Sequence, residues 1–197
     1  MNVLAPAKLT VSLRITGVRA DGYHLIDAEM VSIDLCDELS FGPGDGLVVE
    51  EGTAAGALAG GGFEVPAGED NLVRRALTAV GRRADVRLVK RIPAGAGLGG
   101  GSADAAAVLR WAGRTDDVAL AAALGADVPF CVRGGRARVS GIGEVLEPLP
   151  CRAGAAYTLL IPPFGVSTAA AYRAWDAMGG PGGDGANDLE AAALAVE

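Results

Sequence analysis

A chain of 197 residues, half of them hydrophobic and 21% charged, can bury a substantial core, which excludes global disorder. Its formal net charge of −7 argues against nucleic acid as the main partner, because phosphate backbones select Lys and Arg surfaces; a nucleotide, needing only local donors, stays open. No apolar run approaches the roughly 20 residues that span a bilayer, and nothing at the amino terminus reads as a signal peptide. Cys36, Cys131 and Cys151 are an odd set without CxxC spacing, and the first two sit in apolar contexts. Free thiols and a reducing, cytoplasmic setting are expected, with no membrane partner.

The run KLTVSLRI from Lys8 to Ile15 alternates with period 2 and predicts a half-buried strand. Asp21-Gly22 marks a turn before a second strand, His24 to Leu35, and short strands are expected at Glu38–Phe41 and Leu47–Glu50. Gly52 to Gly62 reads as a small-residue loop. Asp70 can cap a helix to about Arg83, and Asp85 to Arg91 reads as a strand. After a glycine-rich segment, Ser102 or Ala103 opens an Ala-rich helix to about Ala112, and Thr115 caps another ending near Gly125. Three strands are expected next, Val128–Val132, Arg136–Ser140 and Glu144–Leu149. Composition shifts at Pro150, so residues 1–150 are read as one domain and 151–197 as the start of another. The second part predicts a strand at Ala156–Ile161, a helix at Thr168–Met178, a flexible Gly179–Gly185 and a helix from Asn187-Asp188.

The segment Pro93 to Asp104, PAGAGLGGGSAD, is the strongest signal. Five glycines in the seven residues 95–101 remove side chains where something must approach closely or where φ must be positive. Between a strand and a helix, such a loop turns successive N–H groups towards one point, and the helix N-terminus adds partial positive charge: an anion site suited to phosphates. A Walker A loop is excluded, because Gly101 is followed by Ser102 with no Lys. Gly95, Gly97 and Gly100 satisfy G-x-G-x-x-G literally, but the segment after the next helix reads as another helix where a dinucleotide-binding unit needs a strand. Only two lysines, Lys8 and Lys90, stand against fifteen arginines; a compact ammonium suits a crowded site better than a planar guanidinium. Taken alone, Lys8 could be a solvated strand end and Asp127 a turn or cap residue.

The glycine segment resembles the second motif of the GHMP kinases, and Ala5-Pro6-Ala7-Lys8-Leu9 resembles their first. Arg19-Ala-Asp-Gly-Tyr-His24, Asp70-Asn71-Leu72, Gly125-Ala-Asp-Val-Pro-Phe130 and Asn187-Asp188-Leu189-Glu190 narrow the likeness to the diphosphocytidyl-methylerythritol kinase branch. The resemblance implies an α+β fold, with an amino-terminal α/β domain containing a left-handed crossover and the start of a ferredoxin-like carboxy-terminal domain. It implies ATP and Mg²⁺, with Pro93, Ala94, Gly95, Ala96, Gly97, Leu98, Gly99, Gly100, Gly101, Ser102 and Ala103 around the phosphates. Lys8 and Asp127 would be the catalytic pair, Asn71 and Lys90 would line the adenine pocket, and Tyr23 and His24 would hold the cytosine of a small-molecule acceptor carrying cytidine diphosphate. No metal ligand is fixed, though Ser102 and Asp104 stand at the loop's end. Thr10 replaces the Asn usual in the family beside the acceptor alcohol. The family's third glycine-rich motif is absent, so the chain is expected to be part of a longer enzyme. A kinase for another small alcohol lacks a use for Tyr23-His24, and a non-catalytic nucleotide-binding module lacks one for Lys8 with Asp127.

Overall fold

The computed structural model describes residues 1–52, 65–160, 165–180, 182 and 184–196. The alternation around Lys8 extends into one long strand, β1 (Asn2–Val18), which turns at Asp21-Gly22 and returns antiparallel as β2 (His24–Gly42). Gly22 takes φ of 85° in that turn, a left-handed conformation natural to glycine. The separate strand expected at Glu38–Phe41 is the far end of β2, since no Gly or Pro interrupts the chain there. Register shifts fall between Pro6 and Lys8, Thr10 and Ser12, and Ile15 and Gly17. Such bulges bend a strand and re-aim side chains, and the first immediately precedes Lys8.

Four shorter strands complete the sheet: β3 (Leu47–Glu51), β4 (Asp85–Lys90), β5 (Arg136–Gly141) and β6 (Val145–Leu149). While β1 holds one edge of β2, the other edge changes partner. Ile26–Val31 pair with β5 and Glu38–Gly42 with β4, both antiparallel. β3 runs parallel to β4 and β6 antiparallel to β5, giving the order β3-β4-β2-β5-β6 with β1 beside β2.

Among the described residues the helices are α1 (Leu72–Ala79), α2 (Gly100–Ala112), α3 (Val118–Leu124), α4 (Val128–Arg133), α5 (Thr168–Ala177) and α6 (Glu190–Ala195). α2 lies against β1 and β2 with α1 and α4 on its other sides. Ala103, Ala105, Ala106 and Ala107 are fully buried, so a helix buried nearly all round is made of methyl groups that permit close approach. Phe130 of α4, Leu39 of β2 and Leu88 of β4 are likewise fully buried in the same core.

Several sequence expectations need correction. Val128–Val132 is helical: Pro129 suits a first helical turn, and a short apolar run does not separate a buried strand from a buried helix. Asn71, not Asp70, caps α1, its side chain accepting from the Val73 N–H at 2.9 Å, and α1 stops at Ala79 before the left-handed Gly81. Asp117, not Thr115, caps α3, accepting from Leu120 N–H at 3.0 Å. α2 begins at Gly100 rather than at Ser102. Residues 156–160 form no strand, pairing with none of the described strands. The loop expected over 52–62 lies, beyond Gly52, outside the described residues, as do Ile161 to Phe164 and parts of 179–185. Cys131 is buried, Cys36 half-buried and Cys151 exposed, all as free thiols; burial pushes the Cys131 thiol up to about 12. No described helix is long and apolar enough to cross a membrane.

Residues beyond 150 pack onto the same core through Trp175, Leu189 and Ala192. Asp188, buried, accepts from Arg14 Nη1 at 2.6 Å and Ile15 N–H at 2.8 Å, holding the segment before α6 against β1 at its third bulge. Because Phe130 sits with no exposed surface among α2 and the sheet, Phe130→Ala should lower the unfolding free energy by about 3–5 kcal/mol in urea denaturation.

Candidate active site

The glycine-rich segment joins β4 to α2 as a series of left-handed steps, with φ of 74° at Gly95, 72° at Gly97 and 69° at Gly99. Gly99 is the N-cap of α2 and has no side chain to cap it; the first intrahelical bond runs from Ala103 N–H to Gly99 O at 2.8 Å. The N–H groups of Gly100, Gly101 and Ser102 therefore precede that bond and face the helix end unsatisfied by the helix itself. Pro93 to Gly101 line a cavity of about 270 Å³, together with Asn71, Lys90 and Asp104. Backbone donors, a helix N-terminus and a concave wall make this an anion cradle. Ser102 and Ala103, expected around the phosphates, do not line the cavity with their side chains: Ala103 is in the core, because the helix starts two residues earlier than expected.

Lys8 and Asp127 meet beside this cradle. Lys8 Nζ stands 3.1 Å from Asp127 Oδ2 and donates to Thr10 Oγ1 at 3.3 Å. The Lys8 N–H donates to Leu98 O at 2.9 Å, tying β1 to the loop. Its stem packs on Gly99, where a Cβ would fall 2.8 Å from Lys8 Cγ. Asp127 occupies the N-cap position of α4 yet makes no side-chain capping bond; its carboxylate is turned to the lysine instead. Both groups are partly exposed, at 12% and 29%, so the pair is accessible to a substrate and is not a sealed structural ion pair. A carboxylate that can accept a proton, a fixed ammonium and an anion cradle are the parts of a group-transfer site for phosphates.

Lys90 and Asn71, expected around the adenine, both line the cavity, but each already has partners. Asn71 caps α1 and donates from Nδ2 to Pro66 O at 2.8 Å. The Lys90 ammonium is buried between Asp37 Oδ2 and Asp104 Oδ2, the latter at 2.7 Å. Burial alone lowers the Lys90 pKa, but Asp104 and Asp37 outweigh it and hold it above its ordinary value. Burial pushes Asp104 up to about 7, against the pull of Lys90 and with a further push from Asp37.

At the other end, Tyr23 is exposed in the turn, whereas His24 is largely covered. His24 Nε2 lies 2.8 Å from Asp176 Oδ1, with the Tyr172 ring at 4.6 Å and the Trp175 ring edge-on at 5.6 Å. Tyr172 also feels Asp127: burial first, and then that carboxylate, raises its phenol pKa. α5 thus joins the histidine to the Lys8–Asp127 region. Tyr172, Trp175 and Asp176 were missed in the sequence, which indicates only a helix over Thr168–Met178; their spacing of three and four places them on one face of it.

Gly97 and Gly99 separate two costs. Gly97→Ala meets open space and should lose only the left-handed backbone penalty of about 1–2 kcal/mol. Gly99→Ala adds a clash with the Lys8 stem and should lose more in the same denaturation assay. Asp104 makes stability pH-dependent. An unfolded carboxyl titrates at its ordinary 3.8 and the folded one at about 7, so the folded state binds the proton more tightly. Stability should therefore fall as pH rises across that window, and Asp104→Asn should flatten the decline in urea melts at pH 5 and pH 8.

The family pattern described as GHMP kinases N terminal domain matches residues 71–135, from the α1 cap through α4. The chain is similar to the 4-diphosphocytidyl-2-C-methyl-D-erythritol kinase of Heliobacterium modesticaldum, 42% identical over 189 residues covering 88% of this chain and 58% of that protein. It is 40% identical to the enzyme of the same name from Moorella thermoacetica over 206 residues, 98% of this chain and 69% of that protein. A crystal structure of 4-(cytidine 5'-diphospho)-2C-methyl-D-erythritol kinase superposes with a TM-score of 0.63 at 32% identity, covering all of this chain and 78% of that one. The chain thus spans less than two thirds of the Heliobacterium relative and somewhat more of the other two. It belongs to the GHMP kinases, within the 4-diphosphocytidyl-2-C-methyl-D-erythritol kinase family.

Proposed function

We propose that this chain carries the nucleotide-binding and catalytic part of an ATP-dependent kinase acting on the 2-hydroxyl of 4-diphosphocytidyl-2-C-methyl-D-erythritol. The products are the 2-phosphate and ADP, in the non-mevalonate route to isoprenoid precursors. The observation that carries this reading is the 3.1 Å approach of Lys8 and Asp127 beside the glycine cradle.

The backbone N–H groups at the start of α2 hold the polyphosphate, placing the γ-phosphoryl near Lys8. The acceptor oxygen attacks the γ-phosphorus while its proton passes to the Asp127 carboxylate; the bond from that phosphorus to the bridging oxygen breaks and ADP leaves. Lys8 neutralises charge on the transferring oxygens and orients Asp127, and its bond to Thr10 fixes the ammonium. Asn71 and Lys90 form the wall nearest the base of ATP. Tyr23 and His24 hold the cytosine, with Tyr172 adjoining. Magnesium, when bound with ATP, screens the phosphate charge and would be held chiefly by phosphate oxygens. The described residues offer no cluster of three His, Cys, Asp or Glu side chains for it. Asp104 has one buried oxygen without a partner among the described residues but is tied to Lys90 through the other. Three free cysteines accord with a reducing, cytoplasmic setting.

Asp127→Asn tests this directly. Turnover of 4-diphosphocytidyl-2-C-methyl-D-erythritol, followed by ADP release, should fall by about 10²–10⁴-fold while ATP affinity by calorimetry is unchanged. Near-normal turnover of that variant removes Asp127 from the mechanism.

A further inference from the structure

Asp37 is the most completely buried carboxylate in the described chain, with no exposed surface, and it does not line the cavity. It sits on β2 one residue before the last β2–β4 pair, Glu38 with Val89. Beyond that pair β4 parts from β2, Lys90 pairing only with Glu51 of β3, and the chain runs on through Arg91 and Ile92 into the glycine loop. The N–H groups of Arg91 and Ile92 then have no ladder partner, and a buried N–H left unmade costs about 1–3 kcal/mol. Asp37 Oδ1 accepts from both, at 2.8 Å from Ile92 N, and Oδ2 accepts from Lys90 Nζ. One carboxylate thus binds three consecutive residues at the point where strand becomes loop.

The same contact reaches the loop's far side. Lys90 Nζ continues to Asp104 Oδ2 at 2.7 Å, within the second turn of α2. The ammonium also lies 3.2 Å from where a Cβ on Gly100 would stand, directly under the cradle floor. Asp37, Lys90 and Asp104 therefore fasten the end of β4 to the start of α2, and the seven residues 93–99 span between fixed points. Lys8 holds a third point through Leu98 O. An amide at position 37 would keep one acceptor oxygen but would turn an NH2 towards donors, the Lys90 ammonium or the two backbone N–H groups. The device needs a carboxylate.

We propose that Asp37 is a positioning residue of the phosphate site, acting through Lys90, Arg91 and Ile92 to fix the glycine loop in its anion-binding shape. This rests on the reading of the loop as an ATP site. Misplacing a positioning group by about 1 Å can cost about a hundredfold in rate; for binding at the loop that Asp37 holds, a loss of about tenfold or more in ATP affinity is expected for Asp37→Asn.

The experiment titrates ATP, and separately cytidine diphosphate, into the 197-residue chain and its Asp37→Asn variant by calorimetry. A core variant, Val139→Ala on β5, serves as a control for lost stability. The expected result is weakened ATP binding in Asp37→Asn alone, with cytidine diphosphate binding at the Tyr23–His24 end unchanged. Equal ATP affinity in variant and wild type overturns the proposal, as does a parallel loss of both ligands. Failure of the wild type to bind ATP overturns the function proposed above, and this inference with it. Should Asp37→Asn not fold, hydrogen exchange on the wild type decides. Arg91 and Ile92 amides exchanging as slowly as those of β4, with residues 95–101 slowed further by ATP, uphold the assignment; exchange of the two amides at exposed-loop rates overturns it.

Discussion

A strand edge can satisfy only one neighbour at a time, and the architecture of this protein follows from how β2 spends its second edge. β5 takes residues 26–31 and β4 takes 38–42. Between them the edge has no strand, and other parts of the chain reach into that gap. Gly135 O accepts from Ser32 N–H on one side of the gap, and the Asp37 carboxylate receives the end of β4 on the other. On the opposite edge, β1 bulges at the same level and delivers Lys8. The glycine loop, α4 with Asp127, and Lys8 converge because the sheet is interrupted at one height on both edges.

Charge at the site is arranged in two tiers. Lys8 and Asp127 are partly exposed and paired one to one, which leaves them free to respond to a ligand. Lys90 is buried at the cavity wall between two carboxylates, with one oxygen of Asp104 unpartnered among the described residues. A buried ion pair is weak evidence for stability as such, because desolvation offsets most of the Coulomb attraction. What the buried tier supplies here is registry: it fixes which residue of β4 faces which turn of α2.

The glycine loop, its flanking strand and helix, and the hairpin turn at Asp21-Gly22 were legible because glycine spacing and period-2 alternation are local signals. Lys8 and Asp127 were recognisable through their motifs, and their approach across 119 positions of chain follows the resemblance rather than any local pattern. Other features were hidden for physical reasons. Val128–Val132 is too short and apolar for periodicity to decide, and only Pro129 hinted at a helical first turn. Asp37 looks like an ordinary acid at a strand end, since its partners lie more than fifty residues away. Tyr172, Trp175 and Asp176 lie in a segment that reads only as a helix, and nothing in their spacing says that it meets His24.

The alanine composition of α2 has a mechanical consequence. Leucine-rich helices absorb small displacements by switching rotamers, but methyl groups have none to switch. The axis of α2 is therefore set by hard contact along Ala103, Ala105, Ala106 and Ala107, and bulk added anywhere along it is transmitted as a rigid shift. Its first turn is part of the glycine-lined cavity, so tolerance to sequence drift in the interior and the shape of that cavity are bound into one property of a single helix.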